Sequence, residues 1–277
     1  MDKLCPLPEV TRGAYYAWRN REPGARKLED QAILRRLIEL HQKYPAMGLG
    51  SLHQMARRAA RCSRKRVWQL MKKANIHSAR KKACKKTTSS NHKNPVAPNL
   101  LERNFSFPLP GQAWAGDITC IPAGQGWLYL AIVKDLCHKK VVGYAMSDRI
   151  DTKLTLDALN MAVRRQGPRP GLIFRSDRGV QYASHAFRQS LGKYGIRQSM
   201  PRKGDPYGNA AAENFFSCIK RECLYLHFFA TRNAAKTAVF HYIEAFYNSV
   251  RPHSALGWVA PSDFEKGIAY ATLRYSA

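Results

Sequence analysis

The sequence predicts an α/β protein: a mixed five-stranded sheet with helices, preceded by a small all-α domain. Three observations predict it. The second half alternates apolar strand runs with amphipathic helical patterns, the first half holds short capped helices, and a very basic chain spares three carboxylates at the ends and faces of those second-half elements.

Residues 1–27 form an N-terminal arm carrying TRGAYYAWRNREPG. From about Leu28 to Tyr44, Ile33, Leu34, Leu37, Ile38 and His41 recur at helical spacing, and Pro45 ends the run. After MGLG, Ser51 is placed to cap a short helix with Leu52, Met55, Ala56 and Ala59 inward. Ser63 is placed to cap another with Val67, Leu70 and Met71 inward. Two short capped helices with a tight joint read as a helix-turn-helix over residues 28–80. The second presents Lys65, Arg66, Gln69, Lys72 and Lys73 outward, as a helix entering a major groove would. Residues 81–108 turn to Lys, Ser, Asn and Pro and read as a basic linker able to lie along phosphates.

The second half opens with three strand runs, QAWAGDITCI, WLYLAIVKD and KKVVGYAM, the first two joined by a glycine-containing loop as in a hairpin. An amphipathic helix follows from Asp151 or Thr152, with Leu156, Leu159, Ala162 and Val163 on one side. The strand GLIF, a helix over SHAFRQSLGKYG, a short strand near IRQSM and a helix from Asn209 complete the set. Three strands, helix, strand, helix, strand, helix is the order of the RNase H-like fold, here assigned to residues 109–228. Residues 229–277 are expected to add one long helix and an irregular extension.

Charge narrows the partners. The chain has 277 residues, a formal net charge of +27 and a pI near 10.1. Residues 1–110 hold 24 Lys+Arg against 7 Asp+Glu, and no acid lies between Leu40 and Leu101. Such an excess calls for a polyanion, with nucleic acid first. The basic run lacks a broad apolar face, which argues against a membrane surface. Seven cysteines without a C-x-x-C pair support neither a disulfide framework nor a zinc finger and read as reduced thiols. No apolar signal core opens the chain, and WLYLAIV is too short to span a bilayer, so a cytoplasmic, nucleoid-associated protein is expected.

Against that background the three acids are Asp117, Asp177 and Glu213, with 35 residues between the last two. Period-2 alternation puts Asp117 on one strand face with Ala115 and Thr119, opposite Trp114, Gly116, Ile118 and Cys120. Asp177 follows the buried strand directly and precedes Gly179, at a strand end where the backbone turns. Glu213 lies near the start of its helix, and Lys220 shares its face seven residues on, about 10 Å along the axis. Three converging carboxylates repel one another unless a hard cation neutralises them. Oxygen-only ligands suit Mg2+ or Mn2+, and two such ions suit an in-line displacement at phosphorus. Lys203 and Tyr207, in the loop before the Glu213 helix, are further candidates for DNA contact.

GAYYAW, SRKRVWQLMKKANI, QAWAGDIT, RSDRGVQY, SMPRKGDPYGNAAAENFFSCIKRE and YNSVRPHSALGWVAPSDF together resemble the integrase-like transposases, second-reading-frame products, of the insertion sequence family three, relatives of retroviral integrases. The resemblance implies that Asp117, Asp177 and Glu213 are a DDE metal triad and that Lys220 contacts DNA. It implies Mg2+-dependent strand cleavage and strand transfer at the terminal repeats of a bacterial mobile element. It further implies an oligomer on paired ends and fusion to, or association with, an upstream-frame helix-turn-helix protein. Two alternatives stand beside it: an RNase H-like nuclease that does not join ends, and a catalytically inert DNA-binding regulator.

Overall fold

The computed structural model describes residues 11–22, 24–58, 60–79, 95–101, 107–202 and 210–275. It divides into two compact units, Met1–His77 and Ser78–Ala277.

In the first unit, α1 (Arg12–Arg19) is capped by Thr11, whose hydroxyl accepts from the Ala14 N–H at 3.2 Å. Tyr16 and Trp18 stay exposed on it. Next, α2 (Ala25–Lys43) buries Ile33, Leu37 and Leu40, α3 (Leu49–Arg57) buries Leu52, His53, Met55 and Ala56, and α4 (Arg64–Lys73) buries Val67, Leu70 and Met71. Three short apolar stripes thus meet in one small core. Ser63 caps α4 as its position predicts, accepting from Arg66 N at 3.2 Å. Ser51 does not cap α3. That helix starts at Leu49 behind Gly48, three residues ahead of the expected cap, after a turn in which Ala46 and Met47 are buried.

The second unit is a five-stranded sheet in the order β3-β2-β1-β4-β5. Strands β1 (Ala113–Ala123), β2 (Gly126–Asp135) and β3 (Val141–Ser147) form the antiparallel meander that the sequence predicts. Then come α5 (Thr152–Gln166), β4 (Ile173–Arg175), α6 (Val180–Ala183), α7 (His185–Lys193), β5 (Arg197–Ser199) and α8 (Ala210–Glu222). Both β4 and β5 run parallel to β1. Asp151 caps α5 by accepting from Leu154 N at 2.9 Å, and Gly167 closes it in the left-handed conformation.

Helices cover both faces of the sheet. On one, Trp114, Ile118, Ala131 and Val133 pack with Leu154, Ala158, Leu159, Phe174, Phe187 and Leu191. Gly143 permits this layer, since a Cβ there would stand 2.3 Å from the Ala158 carbonyl oxygen. On the other face, Ala113, Ala115, Ile121, Leu128, Leu130 and Ile132 pack against α8 through Ala212, Phe215, Phe216 and Ile219.

The tail departs from expectation. After α9 (Arg232–Phe240) the chain continues through a π-helical turn, His241–Tyr247, and a further helix, α10 (Pro261–Tyr275), replaces the expected irregular extension. Ala235, Val239, Tyr242, Ile243 and Tyr247 belong to the same core as β1 and α8, so the tail completes the sheet's second covering layer. The expected linker also ends early. Leu101 is buried, Leu100 N donates to Ser199 Oγ at 3.0 Å, and Met200 N donates to the Pro98 carbonyl, so residues 98–101 lie along β5. Among the described residues no helix is long and apolar enough to cross a membrane.

Candidate active site

The register of the sheet brings the two aspartates together. Ala115 of β1 is paired in parallel with Arg175, the last residue of β4. Asp117 stands two residues beyond Ala115 and Asp177 two residues beyond Arg175. Neighbouring parallel strands advance at about 3.3 Å per residue, so both carboxylates arrive at one level where the sheet opens. Asp117 lies on the face packed by α8, the helix that carries Glu213 in its first turn.

Each aspartate is held by its neighbouring backbone. Asp117 Oδ1 accepts from Ile118 N at 2.8 Å, and Asp177 Oδ1 accepts from Gly179 N at 2.9 Å. A Cβ at 179 would sit 2.9 Å from that same oxygen and displace it. The strand end is fixed from beneath: buried Arg175 donates to Asn99 Oδ1 and, at 3.3 Å, to Ser199 Oγ, while Arg178 donates to the Pro201 carbonyl at 2.8 Å. Glu213 is exposed, and Lys220, two turns later, is half-buried.

Asp117 feels the charges of Asp177, Glu213 and Lys220. Burial and then the Asp177 carboxylate push Asp117 well above the ordinary carboxylate range. Glu213 pushes the same way, while the Ile118 hydrogen bond and the Lys220 ammonium oppose it. Among the described residues no three acidic, histidine or cysteine side chains are gathered closely enough to hold a metal ion. Instead, an acid within β1, one just past the end of β4 and one in the first turn of α8 repel one another. That is the charge pattern a hard divalent cation relieves, and carboxylate oxygens are the donors it takes.

A buried lysine, which sequence reasoning passed over, sits behind α8. Lys134 Nζ donates to the Ala211 carbonyl at 3.1 Å, and burial lowers its pKa to about 7. Its signal was available, since Leu128, Leu130, Ile132 and Lys134 alternate along one face of β2. At its far end α8 is tied by Arg251, which binds Glu222.

In the first unit, Lys65, Gln69, Lys72 and Lys73 lie exposed on α4. Trp68 joins them at 50% exposure, with the Lys72 ammonium 5.7 Å from its ring centre. Arg66 is a correction. It turns back to Asp30 at 2.6 Å, Glu29 at 3.0 Å and the Arg26 carbonyl, so it braces α4 against α2 instead of facing outward. The reason is that α2 supplies two of the few acids in this half. Arg57, Arg61 and Arg64, not singled out from the sequence, line a cleft of about 500 Å³ beside the start of α4. Lys203 and Tyr207 lie outside the described residues.

Comparison with known proteins identifies the family of the chain. One integrase core domain family model matches residues 108–206, spanning Asp117 and Asp177, and a second matches residues 194–261, spanning Glu213 and Lys220. The chain is 38% identical over 267 residues to the 31 kDa protein of insertion element IS600 from Shigella sonnei, covering 95% of this chain and 97% of that one. It is 35% identical over 269 residues to the InsF transposase of insertion sequence IS3A from Escherichia coli K12, covering 95% and 92%. Over 169 residues it is 43% identical to the IS904 transposase of Lactococcus lactis, covering 61% of this chain and 67% of that protein. Among solved structures, a simian T-cell lymphotropic virus intasome aligns at a TM-score of 0.49 and 18% identity, over 83% of this chain and 74% of that chain. With two integrase core matches that together span more than half of its length, and with transposase relatives along nearly all of it, the chain belongs to the IS3 family of integrase-like transposases.

Proposed function

We propose that this protein cuts DNA at the ends of its insertion sequence and joins the freed 3′ ends to target DNA, with Asp117, Asp177 and Glu213 as the metal-binding triad. The observation that carries this is the shared level of Asp117 and Asp177 beyond the Ala115–Arg175 pair, on the sheet face that α8 covers with Glu213. Two divalent cations bound there, Mg2+ or Mn2+, would activate the attacking water or 3′-hydroxyl and stabilise the leaving oxygen. The protein's own part is to fix the carboxylates through the Ile118 and Gly179 amides and to steady a strand phosphate with Lys220. Lys203 and Tyr207 are assigned to the DNA path on sequence grounds.

The exposed face of α4, with Lys65, Gln69, Lys72 and Lys73, is assigned to recognition of the terminal repeats, and the arginine-lined cleft beside it to backbone phosphates. Both ends of an element must be processed in one event, so the working form is an oligomer on paired ends, alone or with an upstream-frame partner.

The test is incubation of the protein with Mg2+ and a circular plasmid bearing the element ends, with nicks and junctions mapped. Asp117→Asn, Asp177→Asn and Glu213→Gln should each abolish nicking and joining while end binding persists. Nicking without any junctions would make the protein a nuclease, and retained joining by one variant would remove that residue from the triad.

A further inference from the structure

The outward side of α4 carries one residue that a phosphate-seeking surface does not call for. At 3.6 residues per turn, Lys65, Trp68, Gln69 and Lys72 fall within an arc of about 100°. Val67, Leu70 and Met71 fill the core from the other side of the helix, with Val67 fully buried. Trp68 is therefore not a core residue that strays outward. Half of its surface lies open, among exposed lysines. Lys72, one turn on, sets its ammonium 5.7 Å from the ring centre, so the indole and a cation occupy one spot on the surface.

The charge around the ring selects the partner. Arg57, Arg61 and Arg64 line the cleft beside the start of the helix, Lys65 and Lys73 are exposed on it, and no acid stands between Leu40 and Leu101. Such a face attracts a nucleic-acid backbone. When a helix of this kind lies in a major groove, its basic side chains go to phosphates and guanine edges. The apolar group that the groove offers to a ring is the 5-methyl of thymine.

We propose that Trp68 is a specificity-determining residue for the element ends, its indole packing on the 5-methyl group of a thymine in the terminal repeat. The inference rests on the reading of α4 as the recognition helix. Gln69, beside it on the same arc, carries the amide that pairs with adenine N6 and N7, so the two side chains together favour A·T pairs.

Uracil is thymine without that methyl group, so the DNA can be altered in place of the protein. The experiment measures equilibrium binding of full-length wild type, Trp68→Ala and Trp68→Gln, at one salt concentration, to a duplex carrying the element end and to the same duplex with deoxyuridine for every thymidine, beside thermal melts of the three proteins. Wild-type binding should weaken about 10-fold on the deoxyuridine duplex. Both variants should melt close to wild type, bind the thymine duplex about 10-fold more weakly, and lose little more when deoxyuridine replaces thymidine. Wild-type indifference to deoxyuridine, or an undiminished deoxyuridine penalty in the variants, would overturn the role of Trp68 and leave the recognition helix standing. Wild-type protein that binds a scrambled duplex as tightly as the element end would overturn the recognition reading and this inference with it.

Discussion

Arg251 grips both carboxylate oxygens of Glu222, Nε to Oε2 and Nη2 to Oε1, each at 2.7 Å. Tyr242 adds its hydroxyl to Oε2 at 2.8 Å. The pair is nearly buried, with side chains 12% and 7% exposed. It ties the last turn of α8 to the chain beyond α9, and so fixes how the helix presents Glu213 and Lys220 to the sheet.

Breaking this pair from one side should be costly. Arg251→Met leaves a buried carboxylate without its cation, and such losses run to about 3–5 kcal/mol. Adding Glu222→Gln removes the stranded charge while keeping an acceptor for Tyr242, so the double variant should recover part of the loss. Urea unfolding of the single and double variants checks this. Strictly additive losses would show that the two residues are not coupled.

Lys134 makes stability depend on pH. Its folded pKa, lowered to about 7 by burial, lies below its ordinary 10.5, so between those values the unfolded chain binds more protons than the native one. Stability should therefore rise with pH across that window, by at most about 1.4 kcal/mol per pH unit from this group, and the penalty is fully present below pH 7. Lys134→Met should flatten the slope and raise stability at pH 6, less the lost hydrogen bond to Ala211. Denaturant unfolding from pH 6 to 9, read as wild type minus variant, isolates the contribution. Parallel curves would mean that Lys134 stays charged throughout.

Lys220 faces the Asp117 side of α8 and partly offsets its charge environment. Lys220→Ala should lower the salt slope of end binding by about 1 unit and weaken binding across sequences. Strand transfer at saturating DNA should slow by roughly 10- to 100-fold, because the reacting phosphate is held less closely in line. Wild-type behaviour in both measurements would reduce the lysine to surface charge.

The two kinds of basic residue on α4 should separate in experiment. Lys65→Ala and Lys72→Ala, at exposed positions, should weaken end binding with little change in Tm. Arg66→Ala should lower the Tm, because it removes the brace to Glu29 and Asp30, and should change binding only through that loss. Binding isotherms beside thermal melts of the same variants decide it.

Local pattern alone determined much of this protein. Strand alternation put Asp117 opposite Trp114 and Gly116, and the sheet keeps that division between its two cores. The cap at Ser63, the order of elements from β1 to α8, and the helical spacing of Glu213 and Lys220 were all legible, because each depends on residues within a few positions of one another. Tertiary structure alone decided the rest. That Ala115 pairs with Arg175, and so sets Asp117 level with Asp177, is a contact between strands 60 residues apart in the chain. Arg66 has the same charge as Lys65 and was expected beside it on the outer side of α4, and only the placement of α2 turns it inward to Asp30. The tail reads as an appendage until Tyr242, Ile243 and Tyr247 are seen inside the α8 core. Periodicity reports which side of an element is apolar. Which distant group meets that side, and which polar atom is left without a partner, is set by packing across the sheet.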